Sequence, residues 1–121
     1  MRVLKSTSSI CAALLLLASA GTLAAQGYKG DPVRGKEVFR VTACWRCHAV
    51  DTDESKRPPA PGLKGIYQKK SHTLVDGTRH EQHTDEMFRE IISNGTKAMN
   101  PRGAVLTDEE MADLLAYLHT L

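Results

Sequence analysis

The chain has 121 residues, with 16 Lys+Arg, 14 Asp+Glu, five histidines and three cysteines, and only 5% of it is aromatic. That length supports one small domain with a thin core, the kind of chain that gains from a staple, a metal or a cofactor. A formal charge of +2 excludes nucleic-acid binding driven by net charge, and a charged fraction of 25% argues against disorder.

Residues 1–25 read as a cleaved secretory signal peptide. Arg2 and Lys5 form a basic start, Ile10 to Ala20 is an apolar run, and Ala24 and Ala25 mark the cleavage edge. The run is too short to span a bilayer, which takes roughly 20 apolar residues. Cys11 leaves with it and is not read as a lipid anchor. Loss of Arg2 and Lys5 leaves acidic and basic side chains in equal number. The expected mature chain is periplasmic, with no integral membrane segment and no nucleic-acid partner, and it keeps two cysteines.

Residues 26–30 are expected to be a flexible leader before a domain spanning 31–121. Asp31 is placed to cap a helix with Pro32 at its first position, where a missing N–H costs nothing. That helix is predicted to reach Ala43, with Val38, Phe39 and Val41 on its apolar side. Residues Asp51 to Gly65 carry Pro58, Pro59, Pro61, Gly62 and Gly65 and read as loop. A short helix is expected over Ile66 to Lys70. An Asp76–Gly77 hairpin is expected between His72–Val75 and Thr78–Gln82.

Thr84 caps the next helix, with Asp85 and Glu86 at its positive end. Met87, Phe88, Ile91 and Ile92 share a face, and Asn94–Gly95 ends it. Thr96 to Leu106 is loop. Thr107 to Glu110 is a capping box that opens the last helix, with Met111, Leu114, Leu115, Leu118 and Leu121 on one face.

The strongest chemical signal is Cys44–Trp45–Arg46–Cys47–His48. Cys-x-x-Cys-His is the attachment pattern of c-type haem. Two thiols about one turn apart can each form a thioether to a porphyrin vinyl group, and the adjacent imidazole becomes the proximal iron ligand. Export favours this reading. Three rivals are weaker. A disulfide between residues three apart closes a tiny loop and stabilises little. A thioredoxin-like dithiol needs a preceding strand and a parallel sheet. A zinc site recruiting His80 and His83 lacks a usual ligand spacing.

The sixth iron position has several candidates: Met87, Met99, Met111, His72, His80, His83 and His119. Met87 and Met111 fall on apolar helix faces and read as core. His72, His80 and His83 lie in the polar hairpin and read as surface, and His119 as solvated. Met99 sits off any periodic pattern, in a loop that can carry its thioether over the haem face.

Together these residues resemble the small monohaem class I c-type cytochromes, over about Asp31 to Leu121. Gly35, Lys36 and Phe39 stand where that family has Gly-Lys-x-x-Phe. Pro61, Leu63 and Gly65 match its Pro-x-Leu-x-Gly segment. Ile92, Gly95 and Met99 match the loop that supplies the methionine, although Asn100 separates Met99 from Pro101 where many relatives have Met-Pro. Leu106 to Glu110, then Ala116, Tyr117 and Leu118, match the final helix. Residues 71–83 resemble the Asp-Gly hairpin of some cytochrome c modules fused to oxidase subunits.

The resemblance implies an all-α cytochrome c fold of three to four helices around one covalent haem c. The first and last helices should cross, packing Gly35 and Phe39 on Leu114, Tyr117 and Leu118. It implies that the Pro61 carbonyl accepts the Nδ1–H of His48, and that His48 and Met99 ligate the iron. The expected function is soluble electron transfer by a monomer without catalysis of its own. The alternatives are an electron-transfer subunit of a dehydrogenase or reductase, and a gas- or peroxide-reactive haem protein. Redox proteins such as an oxidase, reductase or dehydrogenase are the expected partners, through Lys56, Arg57, Lys64, Lys69, Lys70 and Lys97.

Overall fold

The computed structural model describes residues 29–73, 77 and 79–121, so the expected signal peptide and most of the leader lie outside the described residues. Helix α1 spans Pro32–Val41. The Asp31 carboxylate accepts from the Val33 and Arg34 amides, filling donors that the first turn leaves open. The helix stops two residues before the expected end. Thr42 turns its hydroxyl back onto the Val38 carbonyl at 2.7 Å, and Ala43 adopts a left-handed conformation at φ +61°. Val41 is 60% exposed, so the buried side of α1 is Gly35, Val38 and Phe39.

Helix α2 spans Asp85–Asn94 and helix α3 spans Asp108–Leu118. Thr84 caps α2 through the Met87 amide. Thr107 and Glu110 form the reciprocal capping box of α3. Gly95 ends α2 at φ +70°, its amide bonded to the Ile91 carbonyl. The expected helix at 66–70 is one 3-10 turn, Ile66–Gln68, because Lys69 is already extended. The hairpin is short. Strand β1 (His72–Thr73) pairs antiparallel with strand β2 (Arg79–His80), His72 opposite His80.

The core forms where α1 crosses α3 and α2 leans on α3. Ile66, Leu114 and Leu115 are almost fully buried, joined by Phe39, Phe88, Met111 and Tyr117. A Cβ on Gly35 would collide with the Asp113 carbonyl and the Tyr117 Cβ, so the small residue sets the closeness of the crossing. Beside it the Phe39 ring meets Tyr117 edge to face, 5.6 Å between centroids. The expected packing at the crossing is therefore what the structure shows for Gly35, Phe39 and Tyr117. The buried Asp113 carboxylate accepts from the Asp31 amide and from Arg34 Nε, tying the start of α1 to α3. No helix among the described residues is long and apolar enough to cross a membrane.

Candidate functional site

The left-handed Ala43 folds the chain back directly after α1, and Cys44–Arg46 forms a 3-10 turn. The Cys47 and His48 amides both donate to the Cys44 carbonyl, at 3.1 and 3.0 Å. This winds the motif into a single turn that carries Cys44, Cys47 and His48 to one cavity. The two cysteines are not joined to each other, so both sulfurs are available for another bond.

His48 is fixed by the following loop. Its Nδ1 lies 2.9 Å from the Pro61 carbonyl. A carbonyl only accepts, so Nδ1 carries the proton, which leaves Nε2 as the nitrogen that can offer a lone pair. That is the tautomer a metal-binding imidazole needs, oriented by a backbone acceptor. Loop 49–65 is folded back to make this bond. The Leu63 amide donates to the Ala49 carbonyl at 2.8 Å and the Lys64 amide to Thr52 at 3.2 Å. Gly62 lies against the backbone of Thr52, Asp53 and Glu54, where a Cβ would collide.

The cavity has a volume of ≈ 550 Å³, within the range of cofactor sites. Its apolar wall includes Phe39, Leu63, Ile66, Phe88, Ile92 and Leu114. Met99 joins it from the loop after α2. The Thr96 hydroxyl accepts from the Ala98 and Met99 amides, and the Thr96 amide donates to the Met99 carbonyl at 2.9 Å. Gly95 has no room for a Cβ against that carbonyl, so the loop curls tightly enough to bring Met99 inward. The structure thus gathers Cys44, Cys47, His48, Pro61 and Met99 around one space.

The other sulfur and imidazole candidates stand elsewhere. Met87 and Met111 pack in the core, and neither they nor His80, His83 and His119 line the cavity. The side chain of His72 lies outside the described residues. His83 is not the surface residue expected. It is 8% exposed, bonded through Nδ1 to the Lys69 carbonyl and stacked on Phe88. His119 is not simply solvated either. It stacks on Tyr67 with centroids 3.6 Å apart and donates from Nε2 to Asp85 at 2.8 Å.

The Tyr67 hydroxyl donates to the same Asp85 oxygen at 2.6 Å. Burial, then the Asp85 carboxylate beside it, pushes the Tyr67 phenol well above its usual value, so it remains a donor. Partial burial acts to raise the Asp85 carboxyl, but the bonds from Tyr67 and His119 outweigh it and hold the group below the usual range. This cluster ties the 66–68 turn, the start of α2 and the end of α3 together behind the cavity.

Several wall residues carry no signal in the sequence. Ala43 has no local preference for its left-handed backbone, and Thr73 reaches the wall only because the hairpin folds over it. Arg102 and Asn100 are recognisable only as neighbours of Met99.

The rival readings of the motif lose their geometry. The only sheet among the described residues is a two-stranded antiparallel one, without the parallel strands of a thioredoxin-like unit. No three His, Cys, Asp or Glu side chains among the described residues are grouped to hold a metal, so His80 and His83 do not complete a zinc site with the cysteine pair. The donor set that is present suits haem c instead. It offers two unpaired thiols, an imidazole whose Nε2 can offer a lone pair, a thioether and an apolar slot.

Comparison with known proteins points the same way. A comparison with curated proteins gave no match. Among solved structures the chain is similar to cytochrome c6 from the diatom Phaeodactylum tricornutum, with a TM-score of 0.55 and 26% sequence identity. The similarity covers 75% of this chain and 93% of that one. The family model described as Cytochrome c matches residues 32–121, from the first residue of α1 to the last of the chain. By that match the chain belongs to the cytochrome c family, a haem electron carrier with covalently bound haem c and its iron.

Proposed function

We propose that the protein is an exported, periplasmic electron carrier with His48 and Met99 as the axial ligands of its iron, and that it is not an enzyme. One observation carries the ligand pair. Of the candidate sixth ligands whose side chains are described, Met99 alone shares the cavity with His48. When bound, haem supplies an iron that accepts and returns one electron. Cys44 and Cys47 would hold its edge through thioethers. Pro61 would keep the His48 ring oriented and its Nδ1 protonated through every turnover. The Met99 thioether, a neutral soft donor, would favour the ferrous state and would leave no open position for substrate.

Export is supported by the basic and apolar start of the sequence and by the covalent cofactor. Docking is supported by exposed cations at Lys56, Lys64, Lys70 and Lys97, with Lys69 half-buried nearby. Replacing Lys64, Lys69 and Lys70 by glutamine should slow electron transfer to an acidic redox protein and flatten its salt dependence. Unchanged rates and salt dependence would remove the docking face.

The ligand pair is tested with carbon monoxide. The reduced protein should bind none at neutral pH, whereas Met99→Ala should bind it readily. Ready binding by the unaltered protein would favour a gas-reactive haem protein.

A further inference from the structure

The wall of the cavity carries two charged side chains, Arg57 and Arg102, and no acidic one. Neither arginine forms an ion pair among the described residues. A slot edged by two cations and no anion is complementary to an occupant that brings negative charge. A haem brings two carboxylates, one on each propionate arm. We infer that Arg57 and Arg102 are the residues that receive the two propionates. This rests on haem c occupying the cavity.

The backbone holds both arginines in place. Arg57 opens the turn that forms part of the wall. Its carbonyl accepts from the Ala60 amide at 2.9 Å, and the two residues form an isolated bridge. The Ser55 hydroxyl ties down the same turn through the Ala60 carbonyl. The Arg102 amide donates to Ile92 at 2.8 Å, and its carbonyl accepts from Val105 and Leu106 at 3.0 and 3.1 Å. The backbone at each position is therefore fixed, and a planar guanidinium matches a carboxylate with two parallel N–H···O bonds. Arg57 is exposed and Arg102 half-buried. Water and salt screen the first more than the second, so Arg102 should act more strongly on the iron. Arg57 thereby passes from the expected docking face to the cofactor.

Both are positioning residues. A cation beside each propionate offsets the anionic field that would otherwise favour ferric iron. The test is a spectroelectrochemical titration of the holoprotein and its variants at constant pH. Arg102→Gln should move the ferrous-to-ferric ratio about tenfold toward ferric at a fixed applied potential, about 59 mV for a one-electron couple. Arg57→Gln should move it less, in the same direction. Arg102→Lys should restore most of the shift. Lys36→Gln, which removes an exposed cation on α1 away from the cavity, should change little. With carbon-13 in the propionate carboxyls, the redox-difference infrared carboxylate band should move in both Arg→Gln variants.

Shifts no larger than that of Lys36→Gln, or an unmoved carboxylate band, would overturn the assignment. The visible spectrum of each sample separates this from a failure of the cofactor reading. Absence of covalent haem in the unaltered protein would defeat that reading first.

Discussion

The α1–α3 crossing and the cavity wall are built on opposite principles. At the crossing the polypeptide completes itself. Gly35 lets the helices close, Phe39 packs on Tyr117, and Asp113 binds the start of α1. The cavity side is mostly loop, held by isolated backbone bonds such as Leu63 to Ala49 and Arg102 to Ile92. Its apolar residues belong to the same buried cluster and also line the cavity. A chain with so few aromatics cannot fill both sides by itself, and the covalent cofactor completes the second.

The sharpest way to break this contrast is to remove the anchor. Cys44→Ser combined with Cys47→Ser should abolish covalent haem and the cooperative thermal transition while leaving substantial helical circular dichroism. A cooperative transition at the original temperature would show that the loops fold unaided.

Gly35→Ala attacks the other side. The added methyl meets backbone, so about 3 kcal/mol of stability should be lost in denaturant titration. The haem spectrum of the folded fraction should be unchanged. An altered spectrum would mean that the crossing and the cavity are one unit.

A smaller effect tests the Tyr67–Asp85–His119 cluster between the two regions. The folded-state value of Asp85 is depressed, so its contribution is present above the unfolded value, near about 3.9, and fades as pH falls through the lower folded value. Asp85→Asn should therefore be less stable at pH 7, by under about 1 kcal/mol because the group is exposed, and should lose less on acidification below about pH 4. Parallel stability–pH curves for the two proteins would show that the cluster is inert.

The same contrast explains what was legible in the sequence. Helices stabilised by their own residues announce themselves. The Asp31, Thr84 and Thr107 caps and the Phe88–Ile92 face sit where spacing places them. So does the Cys-x-x-Cys-His run, whose chemistry lies within five neighbours. The wall is legible only in part, because its members come from separate loops joined by backbone bonds. Met99 stood out by falling off every apolar stripe. His83 reads as surface, because neither the Lys69 carbonyl nor the Phe88 ring beneath it leaves a mark on its neighbours in sequence. The early end of α1 escaped for a similar reason, since alanine gives no warning of the left-handed turn at Ala43.

The central claim, one haem closed on both faces by His48 and Met99, is tested most directly by the far-red absorption of the native ferric protein. The account predicts a weak sulfur-to-iron band in the unaltered protein that disappears in Met99→Ala while the haem stays attached through denaturation. Covalent haem without that band, or a band that survives Met99→Ala, would contradict it.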